Sequence, residues 1–309
     1  MEYKDAASHV LDDDTSITYF DATEGSALYV EGLRSNDNGW RPTIVTGKGI
    51  VIEASGGGAD DPATGGKQKA HGITLNYGAE LTLSDSQITA TGPYTAAVIL
   101  GYQSKLTLTD SLVQSNGTYS ILSVEGGSQA TLSNTRVEET TDANTDVVAQ
   151  SSSTLNVLDG SEIALTFGQV RIVSDATLNM LSSIASSEGT ESTIYGYKGS
   201  ILNVTDSTIT HTNVDGAAVE VNSGSTLALS GGELSSAGTG VYGVASAVSI
   251  NGTTINADGD GIMLTSQNRS GFYDDLNGLS VEKSQRHIKA RCVAYRQQYQ
   301  LKLTRYVDR

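Results

Sequence analysis

The chain has 309 residues, with 34 Gly, 3 Pro, one Cys, 17% charged residues and a formal net charge of −16. A lone thiol, Cys292, excludes an intramolecular disulfide framework and a thiolate metal site. An acidic body repels phosphates, which argues against nucleic acid as a partner, and no apolar run of about 18 residues is present to cross a membrane as a helix.

The charge is unevenly placed. Residues 1–271 hold 11 Lys/Arg against 31 Asp/Glu, whereas residues 272–309 hold 8 against 4. The first segment, "MEYKDAASHVLDDD", lacks the basic and apolar regions of a signal peptide. Two apolar pairs follow, Leu28/Val30 and Ile50/Ile52, and both read as short strands. The Gly-rich stretch 54–72, "ASGGGADDPATGGKQKAHG", reads as an inserted loop.

From residue 73 the chain repeats. A strand starts at Ile73, Val98, Leu122, Val147, Val170, Ile194, Val219 and Val241. After a short Gly/Ser turn, a second strand starts at Leu81, Leu106, Ala130, Leu155, Leu178, Leu202, Leu227 and Val248, each with another apolar residue two positions on. A polar corner such as "SDS" or "TDS" precedes a third anchor at Ile88, Val113, Val137, Ile163, Ile184, Ile209, Leu234 and Ile255. Alternation at period two, nested in a period near 24, fits strands and not helices. Each coil buries its apolar row only if another coil stacks on it, with strands about 4.8 Å apart. The expected fold is all-β: a right-handed single-stranded parallel β-helix of the pectin-lyase-like kind, with about 9–11 coils of about 24 residues over 1–265.

A ninth start at Ile262/Leu264 breaks off, and 266–309 differs in kind. Ile288, Cys292, Tyr295, Tyr299, Leu303 and Tyr306 fall on one helical face. The tail reads either as a basic amphipathic helix capping the rod or as a foreign, poorly ordered ending from a truncated or shifted reading frame.

Function has fewer signals. The residue between the two apolar anchors of the second strand is Thr82, Thr107, Thr131, Asn156, Asn179 and Asn203 in successive coils, an outward ladder that serves as sheet polarity or as a binding stripe. Tyr77, Tyr102, Tyr195, Tyr197 and Tyr242 lie in or near the turn between the first two strands; Tyr77, Tyr102 and Tyr197 are kept as stripe candidates. Asp85, Asp110, Asp159 and Asp206 recur with the period, which reads as Asx-turn chemistry. Asp12–Asp14, Asp60–Asp61 and Glu138–Glu139 read as solubilising loop charge. His9, His71, His211 and His287 belong to no metal-ligand spacing and read as surface or turn residues. No catalytic residue, metal or cofactor is expected.

The stretches "YGAELTLSDSQITATG", "GYQSKLTLTDSLVQSNG", "YKGSILNVTDSTITHTN" and "NSGSTLALSGGELSSAG" carry a resemblance. Over about residues 16–265 the chain resembles the passenger domains of pertactin-like, self-associating (type V) autotransporters of Gram-negative bacteria. That resemblance implies a rod at the cell surface or secreted, not inserted in the membrane, which mediates adhesion, autoaggregation or biofilm formation. Its implied partners are further copies of itself, or host-surface and matrix glycans or proteins. The family's signal peptide and outer-membrane barrel are not seen here, so a passenger fragment or a disrupted gene is expected. The alternative is a carbohydrate-active β-helix, a lyase or a tailspike-like hydrolase, which requires carboxylates converging with a basic partner in a groove.

Overall fold

Short apolar-alternating segments separated by polar corners leave the chain one way to bury its Leu, Val and Ile rows, which is to stack coil on coil. The computed structural model describes residues 1–21, 23–34, 39–60, 68–117, 119–140 and 145–265, and the backbone of Gly278–Glu282, Ala290–Cys292 and Lys302–Leu303. All regular structure among them is β. Three parallel sheets wrap one core. The first has twelve strands, from Glu2–Tyr3 to Ala290–Cys292; the second has twelve, from Ser8–Val10 to Lys302–Leu303; the third has ten, from Ser16–Asp21 to Thr254–Ala257. Each coil contributes one strand to each sheet, which gives a β-solenoid of about ten turns.

The register aligns the repeat as the sequence pattern implies. Leu81 pairs with Leu106, then Ala130, Leu155, Leu178, Leu202, Leu227 and Val248. In the first sheet Ile73, Val98, Leu122, Val147, Val170, Ile194, Val219 and Val241 form one column. Both columns are buried. In the third column one anchor differs. Ile163 pairs with Ala185, and Ile184 stands outside at 43% exposure opposite Glu162. Spacing decides here over hydrophobicity: Ala185 lies seven residues after Leu178, as Ile88 does after Leu81, so the pleat turns Ala185 inward.

Three other readings are refined. Leu28/Val30 joins the first sheet, but Ile52 aligns with Ile88 in the third, and Val45 fills the second-sheet position beside Leu81. The stretch 54–72 is shorter as a loop, because Val51–Gly56 and Ala70–Asn76 are strands; residues 61–67 of it lie outside the described residues. In the tail, Ala290–Cys292 pairs in parallel with Ile262–Leu264, and Lys302–Leu303 with Ser280–Val281. At those residues the chain is strand and not helix, because the edge of the last coil offers unpaired backbone groups. The rest of the helical reading falls outside the described residues.

Two of the three corners are short and built alike. Between the first and second sheets, Tyr77, Tyr102, Ser151, Ser174, Lys198, Ser223 and Ala245 take positive φ, between 49° and 61°. Between the second and third sheets, Asp85, Asp110, Asn134, Asp159, Ser182 and Asp206 do the same at 46–54°. Asp and Asn tolerate this left-handed conformation better than most side chains, which is the physical basis of the recurrent corner acids. A buried hydroxyl follows most of these turns, and Ala79 and Ala176 take its place after Tyr77 and Ser174. Ser111 Oγ accepts from Ser86 N at 3.1 Å, Ser161 Oγ from Thr135 N at 3.1 Å and Ser128 Oγ from Ser104 N at 3.1 Å. Backbone donors that the turn pulls out of the sheet are thereby paired with the next coil.

Candidate functional site

The third corner, from the third sheet back to the first, follows no such rule. It spans two residues (237–238) in one coil and thirteen (57–69) in another. In five coils the last residue of the third-sheet strand holds the loop in place. Ser115 Oγ accepts from Gly117 N at 3.0 Å, Ser187 Oγ from Gly189 N at 3.2 Å and Ser236 Oγ from Gly238 N at 3.1 Å. In register with them, Glu139 is 7% exposed and accepts four backbone N–H groups. Thr145 N reaches one carboxylate oxygen at 2.9 Å; Thr166, Phe167 and Gly168 N reach the other at 2.8, 2.8 and 3.2 Å. His211, 1% exposed, lies in the same column: Nε2 donates to Asp215 O at 2.8 Å, and Nδ1 lies 3.2 Å from Thr193 Oγ1. Two residues read from sequence as loop charge and turn histidine are thus internal clasps. Their signal was positional, because both replace the serine of a recurring Ser-x-Gly at 115–117, 187–189 and 236–238.

Beside these loops runs a groove with two neighbouring hollows. One of about 240 Å³ is lined by Arg136, Glu138, Glu139, Ala164 and Glu188, among others. One of about 570 Å³ is lined by Thr210, His211, Ser235, Asn256 and Asp258, among others, and Thr212 belongs to both. At the narrow end Arg136 binds two carboxylates, Glu138 at 2.5 Å through Nε and Glu162 through the guanidinium terminus. Gln114 donates to Glu138 from the preceding coil. Burial alone would raise the Glu138 carboxyl, but the hydrogen bonds from Arg136 and Gln114 outweigh it and hold the group below its usual range. Glu138 points outward and Glu139 inward, as adjacent residues of a strand must.

The Thr/Asn ladder sits on the second sheet in unbroken register, Thr46–Thr82–Thr107–Thr131–Asn156–Asn179–Asn203. Asn203 Nδ2 donates to Asn179 Oδ1 at 3.0 Å, Asn179 to Asn156 at 2.9 Å and Asn156 to Thr131 Oγ1 at 3.1 Å. Around it, the six strands from Gln129–Ser133 to Ala247–Asn251 contain no charged residue.

The tyrosines form two separate groups. Trp40, Tyr77 and Tyr102 stack at the first corner, with centroids 4.7 and 4.9 Å apart. The run ends there, because the same position is Gly126 and then Ser151 in the next coils. Tyr195 and Tyr197 pair four coils further on, 6.0 Å apart. Trp40 reaches the stack through a hairpin of Leu33–Arg34 with Trp40–Arg41, which the repeat pattern did not reveal.

His71 packs against Tyr119, whose ring also carries Lys69 Nζ at 3.8 Å. Burial lowers the His71 pKa to about 4, and Lys69 adds to the shift. Its Nδ1 is buried without a hydrogen-bond partner.

No family model and no curated protein matches the sequence. Among solved structures, the chain is similar to tailspike protein 3 of bacteriophage CBA120, at 8% identity and a TM-score of 0.22, over 92% of this chain. The chain spans about half, 52%, of that tailspike.

Proposed function

We propose that this chain is a non-enzymatic recognition rod of the bacterial surface, acting in adhesion and self-association. The observation that carries this reading is the second sheet. In a body of strong negative charge, it is a flat face of hydroxyls and amides with a charge-free run of six strands. Two copies brought together on such a face meet less like-charge repulsion than on the rest of the acidic body. Leu181 and Ile201, 41% and 43% exposed on the same face, add apolar area for a second copy to cover. Many weak contacts repeated along the rod sum to useful avidity.

Sedimentation velocity and a cell-aggregation assay test it. The wild-type chain is expected to self-associate, and Thr107→Glu with Asn179→Glu to return it to monomer without lowering its unfolding temperature. A wild-type chain that stays monomeric at high concentration and neither aggregates cells nor coats matrix would sink the reading.

A carbohydrate-active enzyme is the second reading, favoured by the convergence of Glu138 and Glu162 on Arg136 in a groove. Against it, a general acid needs a raised pKa, and Glu138 is held low. Release of reducing ends from a polysaccharide panel, lost in Glu138→Gln, would establish it.

A further inference from the structure

The groove beside the third corner runs along six consecutive coils, and four of them present a hydroxyl or an amide. Its floor is an outward row of the third sheet: Glu138, Ala164, Ser186, Thr210, Ser235 and Asn256, in register. Past Glu138 the side chains are short, and that shortness opens the hollows. Six strands at the normal spacing make a trough roughly 24 Å long. The third-corner loops beside it carry Phe167 and Val214, 38% and 75% exposed, next to the lining residues Thr166 and Thr212. The loops that carry them are fixed from inside, by Glu139 under Phe167 and by His211 under residues 212–216.

We propose that this trough binds an extended, uncharged polysaccharide strand laid along the rod axis. An open channel several coils long suits a polymer better than a small molecule. Hydroxyl and amide groups on the floor exchange hydrogen bonds with sugar hydroxyls, while an aromatic face on the rim covers sugar C–H surface. Charge selects against polyanions: Glu138, Glu188 and Asp258 line the trough, and among the described lining residues the one cation, Arg136, is already held by two carboxylates. A peptide strand laid along the trough is disfavoured, because the third-sheet strands from Arg136–Glu139 to Glu233–Ser236 already pair on both sides, and among the described residues only Thr254–Ala257, at the far end of the floor, stands at the sheet edge. Walls pinned before binding reduce the ordering cost, so weak single contacts suffice.

The inference specifies one partner for the recognition rod and rests on that reading, but it concerns a different face. The test uses the full chain on an array of oligosaccharides of about six or more units, neutral and acidic, followed by calorimetric titration of the best neutral binder. The expected result is saturable binding to a neutral glycan, no binding to oligogalacturonate, and a loss of about tenfold or more in Ser186→Gln/Thr210→Gln, which fills the floor. Thr107→Glu/Asn179→Glu on the second sheet should leave glycan binding unchanged, so failure of self-association and failure of the trough are read separately. Binding of no neutral glycan, preference for acidic ones, or full affinity in the floor-filling variant with its unfolding temperature intact would overturn the proposal.

Discussion

The first two corners and the third close the same coil by different physics. At the first two, a left-handed residue turns the chain and in most coils a buried Ser or Thr follows, which at Ser111 and Ser128 pairs a backbone donor of the preceding coil. The solution is short-range, so it repeats. At the third corner the loops differ in length, and five of them are held by the side chain that ends the strand: Ser115, Glu139, Ser187, His211 or Ser236. Regular corners allow stacking at the β spacing; the irregular corner raises walls beside a flat sheet, and the groove results. Variation is concentrated where it does not break the ladder.

The sharpest way to break the comparison is to set the loss of a third-corner clasp against the loss of a core side chain. Glu139→Ala leaves four backbone N–H groups without their acceptor, and a cost of about 3 kcal/mol is expected from the loss of charge-assisted bonds at a buried site. Protease nicking near 140–146 and 166–168 should accompany it, measured beside a urea titration. Leu108→Ala, in the core shared by all corners, should cost about as much, 2–5 kcal/mol, but loosen no particular loop. Equal protease resistance in Glu139→Ala and wild type would show that the third corner does not depend on its clasp.

The pH dependence of stability sharpens the same contrast. His71 lies at the third corner, with a folded pKa of about 4 against an unfolded value near 6.5. Between those values the unfolded chain binds the extra proton. Its contribution is therefore complete above about pH 6.5 and is lost as pH falls toward 4, by up to about 3 kcal/mol. His71→Gln should flatten the urea midpoint between pH 6.5 and 4. An unchanged slope in that variant would place the acid sensitivity elsewhere.

What was legible in the sequence follows the same division. The Leu-x-Leu spacing and the recurrent Asp at the corner are local rules, and the column from Leu81 to Val248 was readable from them. Ile184 misled because hydrophobicity was weighed above spacing, although Ala185 holds the inward position. The groove was not readable. It depends on small residues in one outward row and on loops whose path is set by buried partners far apart in sequence, as Glu139 is from Gly168. Adjacent acids at 138–139 looked like one charged run; the pleat sends one to Arg136 and buries the other.

The smallest effects test whether regular means replaceable. Ser111→Ala removes a buried hydroxyl that accepts from Ser86 N, and a loss of about 1 kcal/mol is expected. Asn179→Ala interrupts the ladder by removing its bonds to Asn156 and Asn203. Water reaches that face and replaces those bonds, so the cost should stay within about 0.5 kcal/mol. If the ladder matters mainly to a partner, Asn179→Ala should weaken self-association more than it weakens folding. A urea midpoint that moves further for Asn179→Ala than for Ser111→Ala would mean instead that the exposed asparagine row carries structural weight, and that the second sheet owes its regularity to stability and not to contact.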